Sequence, residues 1–113
     1  MKGIKLFVVA AVIASMFSIT AKAGEEGWVY VPNEGRWWYD YGYGTYPANE
    51  WVWLDGNADG IAECYCFDRE GYLYMNGRTP DGYYVNSDGA WTVNGVVQTY
   101  NIEAIADYYY YTY

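Results

Sequence analysis

The 113-residue chain has six basic and fourteen acidic residues, two cysteines, no histidine, and aromatic side chains at 22% of its positions. A balance this acidic offers no phosphate-neutralising surface, which disfavours nucleic acid and anionic membranes as partners. The missing histidine removes the commonest general base and the commonest metal ligand, and with them most triad and zinc sites. In chain order, Lys2 and Lys5 form a basic front to an apolar run from Leu6 to Ile13, extended by Ala14 and Met16. Ala21-Lys22-Ala23 closes it with the small-x-small pattern of a signal peptidase site. The run is shorter than the roughly 20 residues of a membrane span. Residues 1–23 are therefore expected to be a signal peptide, with export of a mature chain that begins near Gly24. That chain keeps only Arg36, Arg69 and Arg78 against all fourteen acids, a net of −11. It is long enough for one small domain.

Strand chemistry dominates the mature chain. Trp37-Trp38-Tyr39, Trp51-Val52-Trp53-Leu54 and Tyr65-Cys66-Phe67 are rich in aromatic and β-branched residues. Between and around them lie turn signals at Asn33-Glu34-Gly35, Asp68-Arg69-Glu70-Gly71, Asp81-Gly82 and Asn86-Ser87-Asp88-Gly89. No segment before residue 100 has a helical period. Cys64 and Cys66 stand two apart on one strand, with Cα atoms at about 6.5 to 7 Å, the outer limit for a bridge. Buried free thiols are the expected state. Asp55-x-Asn57-x-Asp59-Gly60 matches the opening of an EF-hand-type loop, with Glu63 at the ninth position. Asp55, Asn57, Asp59 and Glu63 are accordingly the candidate ligands for a weak calcium site. Cys66 stands at the twelfth position, where such a loop has a bidentate acid, and the alternative is a solvated acidic hairpin loop. Val96 to Tyr100 reads as a last edge strand. Ile102 to Asp107 is a possible helical turn capped by Asn101. The tyrosine-rich tail to Tyr113 either caps an open end of the fold or forms a sticky extension.

The strands repeat. Trp37-Trp38-Tyr39, Cys64-Tyr65-Cys66 and Gly82-Tyr83-Tyr84 superpose, each followed five residues later by Gly44, Gly71 or Gly89. The glycine spacings are 27 and 18 residues, and the nine-residue segment from Asp55 to Glu63 accounts for the difference. A lone hairpin is marginal in water, so such units must stack to bury their rings. The expected fold is all-β: about three β-hairpins stacked as a short repeat β-solenoid over residues 24–100, followed by the tail at 101–113.

Gly27-Trp28, Gly35-Arg36-Trp37-Trp38-Tyr39, Gly44-Thr45-Tyr46-Pro47 and Asn49-Glu50-Trp51 resemble the cell-wall-binding repeats of Gram-positive surface proteins, also called choline-binding or glucan-binding repeats. The stretches from Asp55 to Tyr65 and from Thr79 to Gly95 resemble variant repeats of that group. The resemblance implies a bacterial protein, secreted or held at the cell surface, with ligand sites at junctions between hairpins. There, aromatic rings box a choline headgroup or stack on sugars. At the first junction the ligand-binding set it implies is Trp37, Tyr39 and Trp51, with Trp28 and Trp53 nearby. At the second junction Cys64 and Cys66 replace the matching rings.

The function this supports is a non-catalytic module for a cell-wall polymer, choline-decorated or carbohydrate. No nucleophile–base pair is visible, and stacked hairpins enclose little volume in which to shift a carboxylate. The alternative is a structural or adhesive repeat protein that makes protein contacts, including with its own copies.

Overall fold

The computed structural model describes residues 5–7, by their backbone, and 26–102. Among these residues every element is a strand and no barrel closes. The strands are β1 (Lys5–Phe7), β2 (Gly27–Val31), β3 (Arg36–Asp40), β4 (Glu50–Leu54), β5 (Ile61–Phe67), β6 (Gly77–Arg78), β7 (Tyr84–Val85), β8 (Trp91–Val93), β9 (Val96–Val97) and β10 (Thr99–Asn101). They form a two-stranded sheet β2-β3 and two four-stranded sheets, β1-β4-β5-β10 and β6-β7-β8-β9. Apart from the parallel pair β1-β4, every pairing is antiparallel.

Two of the three hairpin units expected from the turn chemistry are present. The first joins β2 to β3 through Pro32–Gly35, where Gly35 at φ +65° closes the turn and donates to Val31 O at 2.9 Å. The second joins β4 to β5 across the Asp55 loop, in the register Trp51↔Cys66, Val52↔Tyr65 and Trp53↔Cys64. The third region forms a meander of four short strands rather than a single hairpin. The anticipated last strand is split: Val96–Val97 stays with the meander, and Thr99–Asn101 crosses over to pair with Ile61–Glu63. The expected helical turn and tyrosine tail lie outside the described residues beyond Ile102. So does most of the expected leader, of which Lys5–Phe7 runs beside Val52–Leu54.

The side-chain period of two turns the β4-β5 hairpin into a partition. One face carries Val52, Leu54, Tyr65 and Phe67; it packs with Tyr39, Trp28 and Tyr41 into one core cluster. The other face carries Trp51, Trp53, Cys64 and Cys66 and packs with Val85, Tyr74, Tyr83 and Trp91 into a second cluster. Both clusters are largely aromatic. Rings bury about 150 to 250 Å² each, which is how so short a chain obtains two cores.

Candidate functional site

On β2-β3, cross-strand partners share a face: Trp28 opposes Tyr39, and Tyr30 opposes Trp37. Trp38 and Val29 point to the other side. Part of this face, Trp28 and Tyr39, is laid against β5 in the cluster that holds Tyr65 and Phe67. Trp28 is the hinge of that contact, edge-to-face with Tyr39 at 5.1 Å and with Tyr65 at 4.8 Å, and stacked on Phe67 at 5.9 Å. Its indole edge also lies directly on Gly56, where an added Cβ would meet Nε1 and Cδ1.

The rings do not fill the space between the hairpins. A cavity of about 300 Å³ remains, lined by Trp28, Trp37, Tyr65, Leu73, Met75, Ser87 and Asp88. Its position follows from backbone connections. Leu73 N donates to Trp37 O at 2.8 Å and Tyr74 N to Cys66 O at 3.0 Å, so the segment after β5 ties β3 to β5 and carries Leu73 and Met75 to the floor. Tyr65 bridges to Ala90, which draws the Asn86–Gly89 turn to the mouth. Asn86 Oδ1 accepts from Asp88 N at 2.9 Å and Ala90 N at 3.0 Å, and this Asx turn places Asp88 at the rim. Gly89, at φ +84°, passes so close to Leu73 that a Cβ would come within 2.6 Å of its side chain. Burial first, and then the carboxylates of Glu63 and Asp88, push the Tyr65 hydroxyl upward, so it stays a neutral donor. The cavity thus has three aromatic walls, an apolar floor and one carboxylate at the rim.

The structure sorts the expected ligand set. Trp28 and Trp37 line this cavity. Tyr39 does not reach it: it is 0% exposed, and among the described residues its hydroxyl has no hydrogen-bond partner. Burial, then Glu26, Tyr41 and Asp55, push that hydroxyl well above its ordinary value. Trp51 is 4% exposed on the far side of the β4-β5 partition and donates from Nε1 to Asp81 Oδ2 at 2.7 Å. It edges a different cavity, of about 410 Å³, with Tyr74, Pro80 and Asp81. Trp53 packs against Trp91 at 6.1 Å and Tyr100 at 5.4 Å.

Tyr65, Leu73, Met75, Ser87 and Asp88 were outside the expected set. The period of two within Cys64-Tyr65-Cys66 carried the signal for Tyr65, because it sends the middle ring to the face opposite the cysteines. Both thiols are free, buried and pushed up to about 12, by burial first. In the Asp55 loop, the Asp55 carboxylate turns inward and accepts from Asp59 N at 3.1 Å and Gly60 N at 3.0 Å, while Asp59 Oδ1 accepts from Ile61 N. Burial pushes Asp55 and Glu63 up, and Asp59 adds to both shifts. Asn57 is an exposed side chain beside Asp59. Among the described residues no three His, Cys, Asp or Glu side chains converge as a metal-holding group.

Among solved structures, the chain is similar to the choline binding domain of a Streptococcus pneumoniae protein. The likeness has 30% sequence identity and a TM-score of 0.49, over 67% of this chain and 78% of that one. No protein-family model matches the chain. No curated protein matches it. Among the described residues no helix is long and apolar enough to cross a membrane.

Proposed function

We propose that the protein is a secreted, non-catalytic bacterial module that holds a quaternary ammonium group, such as the choline of a decorated wall polymer, in the cavity between its first two hairpins. The observation that carries this reading is the convergence of Trp28, Trp37 and Tyr65 with Asp88 around about 300 Å³. Ring faces attract a desolvated cation, each contact contributing about 0.5 to 2 kcal/mol, and a rim carboxylate adds attraction without closing the cage. The size is at the lower end of ligand pockets, about 300 to 1,000 Å³, and suits a headgroup rather than a whole polymer unit. In this reading residues 1–23 are a cleaved leader, the hairpins wind as a short solenoid, and the acidic mature surface draws cations from a distance.

Tryptophan fluorescence titrated with choline chloride tests the proposal. Saturable quenching is expected. Trp37→Ala should weaken it about tenfold or more, the equivalent of about 1.4 kcal/mol. Asp88→Asn should weaken it a few-fold and flatten its salt dependence. Absence of any response in the parent, or full retention in Trp37→Ala, refutes the site. A second reading, a surface protein that makes contacts with other proteins or its own copies, draws on the exposed Val93, Val96 and Tyr100 near the end of the described chain. Self-association by sedimentation without a choline response would favour it.

A further inference from the structure

We propose that Cys64 and Cys66 form a site for a soft, thiol-seeking metal ion of the mercuric or cuprous kind, held in linear two-coordinate geometry. The site lies on the far side of the β4-β5 partition and does not depend on the ammonium site. Both thiols are free, and both belong to the face of the hairpin that also carries Trp51 and Trp53. In the register Cys64 stands opposite Trp53 and Cys66 opposite Trp51.

The spacing of the pair fits a metal better than a disulfide. Alternate residues of an extended strand keep their Cα atoms about 6.5 to 7 Å apart. A disulfide spans only about 2 Å between its sulfurs and favours a Cα separation of about 5.5 to 6 Å. A linear bridge with two sulfur–metal bonds of about 2.3 Å, the length of a zinc–thiolate bond, sets its sulfurs about 4.6 Å apart. Two side chains that leave one strand in the same direction match the longer span. Strand β5 resists puckering to close the shorter one, because it is held on both edges. Strand β4 pairs with it from Glu63 to Phe67, Thr99–Asn101 pairs with Ile61–Glu63, and Tyr74 N donates to Cys66 O at 3.0 Å. Thiols fixed in this way lose little freedom when they chelate an ion.

The surroundings select the ion. Among the described residues no third His, Cys, Asp or Glu side chain joins the pair as a metal-holding group, so tetrahedral zinc lacks its ligands. Calcium and magnesium take oxygen, whereas thiolate sulfur selects soft ions. Val85, Tyr74, Tyr83 and Trp91 pack around the pair, and in such a cluster a net charge is costly. A mercuric ion is neutral with two thiolates, and a cuprous ion is neutral with one thiolate and one thiol. Entry is through the cavity of about 410 Å³ that Cys66 borders together with Trp51, Tyr74 and Asp81. Asp81, whose carboxyl lies below its usual value, is an anion on that wall and draws a cation towards the thiol. Burial first of all pushes both thiols up to about 12, so each carries its proton at neutral pH. The entering ion therefore displaces protons, two for the mercuric ion and one for the cuprous.

The test uses the full mature chain, reduced and then freed of reductant, with mercuric chloride in one arm and a cuprous salt under nitrogen in the other. At least one of the two is expected to bind as one ion on one chain by native mass spectrometry, with thiolate-to-metal charge-transfer absorption. Proton release should be two per mercuric ion and one per cuprous ion, so the affinities rise about a hundredfold and about tenfold per pH unit. The complex should survive about a tenfold excess of a monothiol, because the second cysteine acts at high effective concentration. Cys64→Ser and Cys66→Ser should each lose that resistance while leaving choline affinity unchanged. If neither variant folds, the proton count and the monothiol competition on the parent decide the matter. A parent that binds neither ion within a single chain, releases no protons or yields the ion to the monothiol overturns the proposal. So does resistance that persists in both serine variants, or displacement of the bound ion by zinc.

Discussion

Trp51→Phe separates the two sets of rings, because Trp51 belongs to the core on the far side of the β4-β5 partition. The indole N–H donates to Asp81 at 2.7 Å, and Thr79 Oγ1 donates to the other oxygen of the same carboxylate at 2.5 Å. A hydrogen bond to a charged group contributes about 1.5 to 3 kcal/mol, and the exposed Asp81 can turn to water, so the lower end applies. Shrinking an indole that is 4% exposed leaves a void worth about another 1 to 2 kcal/mol. A total near 3 kcal/mol corresponds to a fall in melting temperature of roughly 10 °C or more in a domain of this size. Burial alone would raise the Asp81 carboxyl, but the bonds from Thr79 and Trp51 outweigh it and hold the group below the usual carboxylate value. For an acid whose folded pKa is lowered, the stabilisation is complete above the unfolded value of about 4 and is lost as pH falls through the folded one. The gap in stability between parent and variant should therefore be constant near neutrality and shrink below about pH 4. Urea or thermal melts from neutral pH to about pH 3 measure it, alongside the choline titration. A gap independent of pH, a variant as stable as the parent, or a folded variant that no longer binds choline would refute the reasoning.

Tyr39→Phe should leave choline affinity unchanged and the melting temperature equal or higher. It removes a fully buried hydroxyl that has no partner among the described residues, and keeps the ring that packs on Trp28. Loss of choline binding in this variant would return Tyr39 to the site. Gly56→Ala should lower stability by about 1 to 3 kcal/mol, because the new methyl group overlaps the Trp28 indole. Since Trp28 is also a wall of the cavity, choline affinity should fall with it; a variant neutral in both melting and titration would show that the glycine contact does not seat the ring.

Residue pattern alone reached the all-β architecture, the first two hairpins and the sidedness of each strand. Trp37 with Tyr39 against Trp38, and Cys64 with Cys66 against Tyr65, follow from the two-residue period, which is a property of the backbone and needs no tertiary contact. The turns were legible because Gly35, Gly71 and Gly89 adopt the left-handed conformations that side chains resist. Which face becomes core and which borders a cavity depended on what each hairpin stacks against. Trp28, Trp37 and Tyr39 share one face of the first hairpin, yet Tyr39 is sealed beneath the second while Trp28 and Trp37 border a gap. Trp51 has the same chemistry on a strand facing the other way, and it meets Asp81, thirty residues on. Leu73, Met75 and Asp88 sit in connections with no period to announce them. Their place is set by the bonds from Leu73 to Trp37 and from Asp88 to Asn86, and by the Tyr65–Ala90 bridge. Local backbone geometry determined which way each ring points; only long-range packing decided whether a ring became core or the wall of a site.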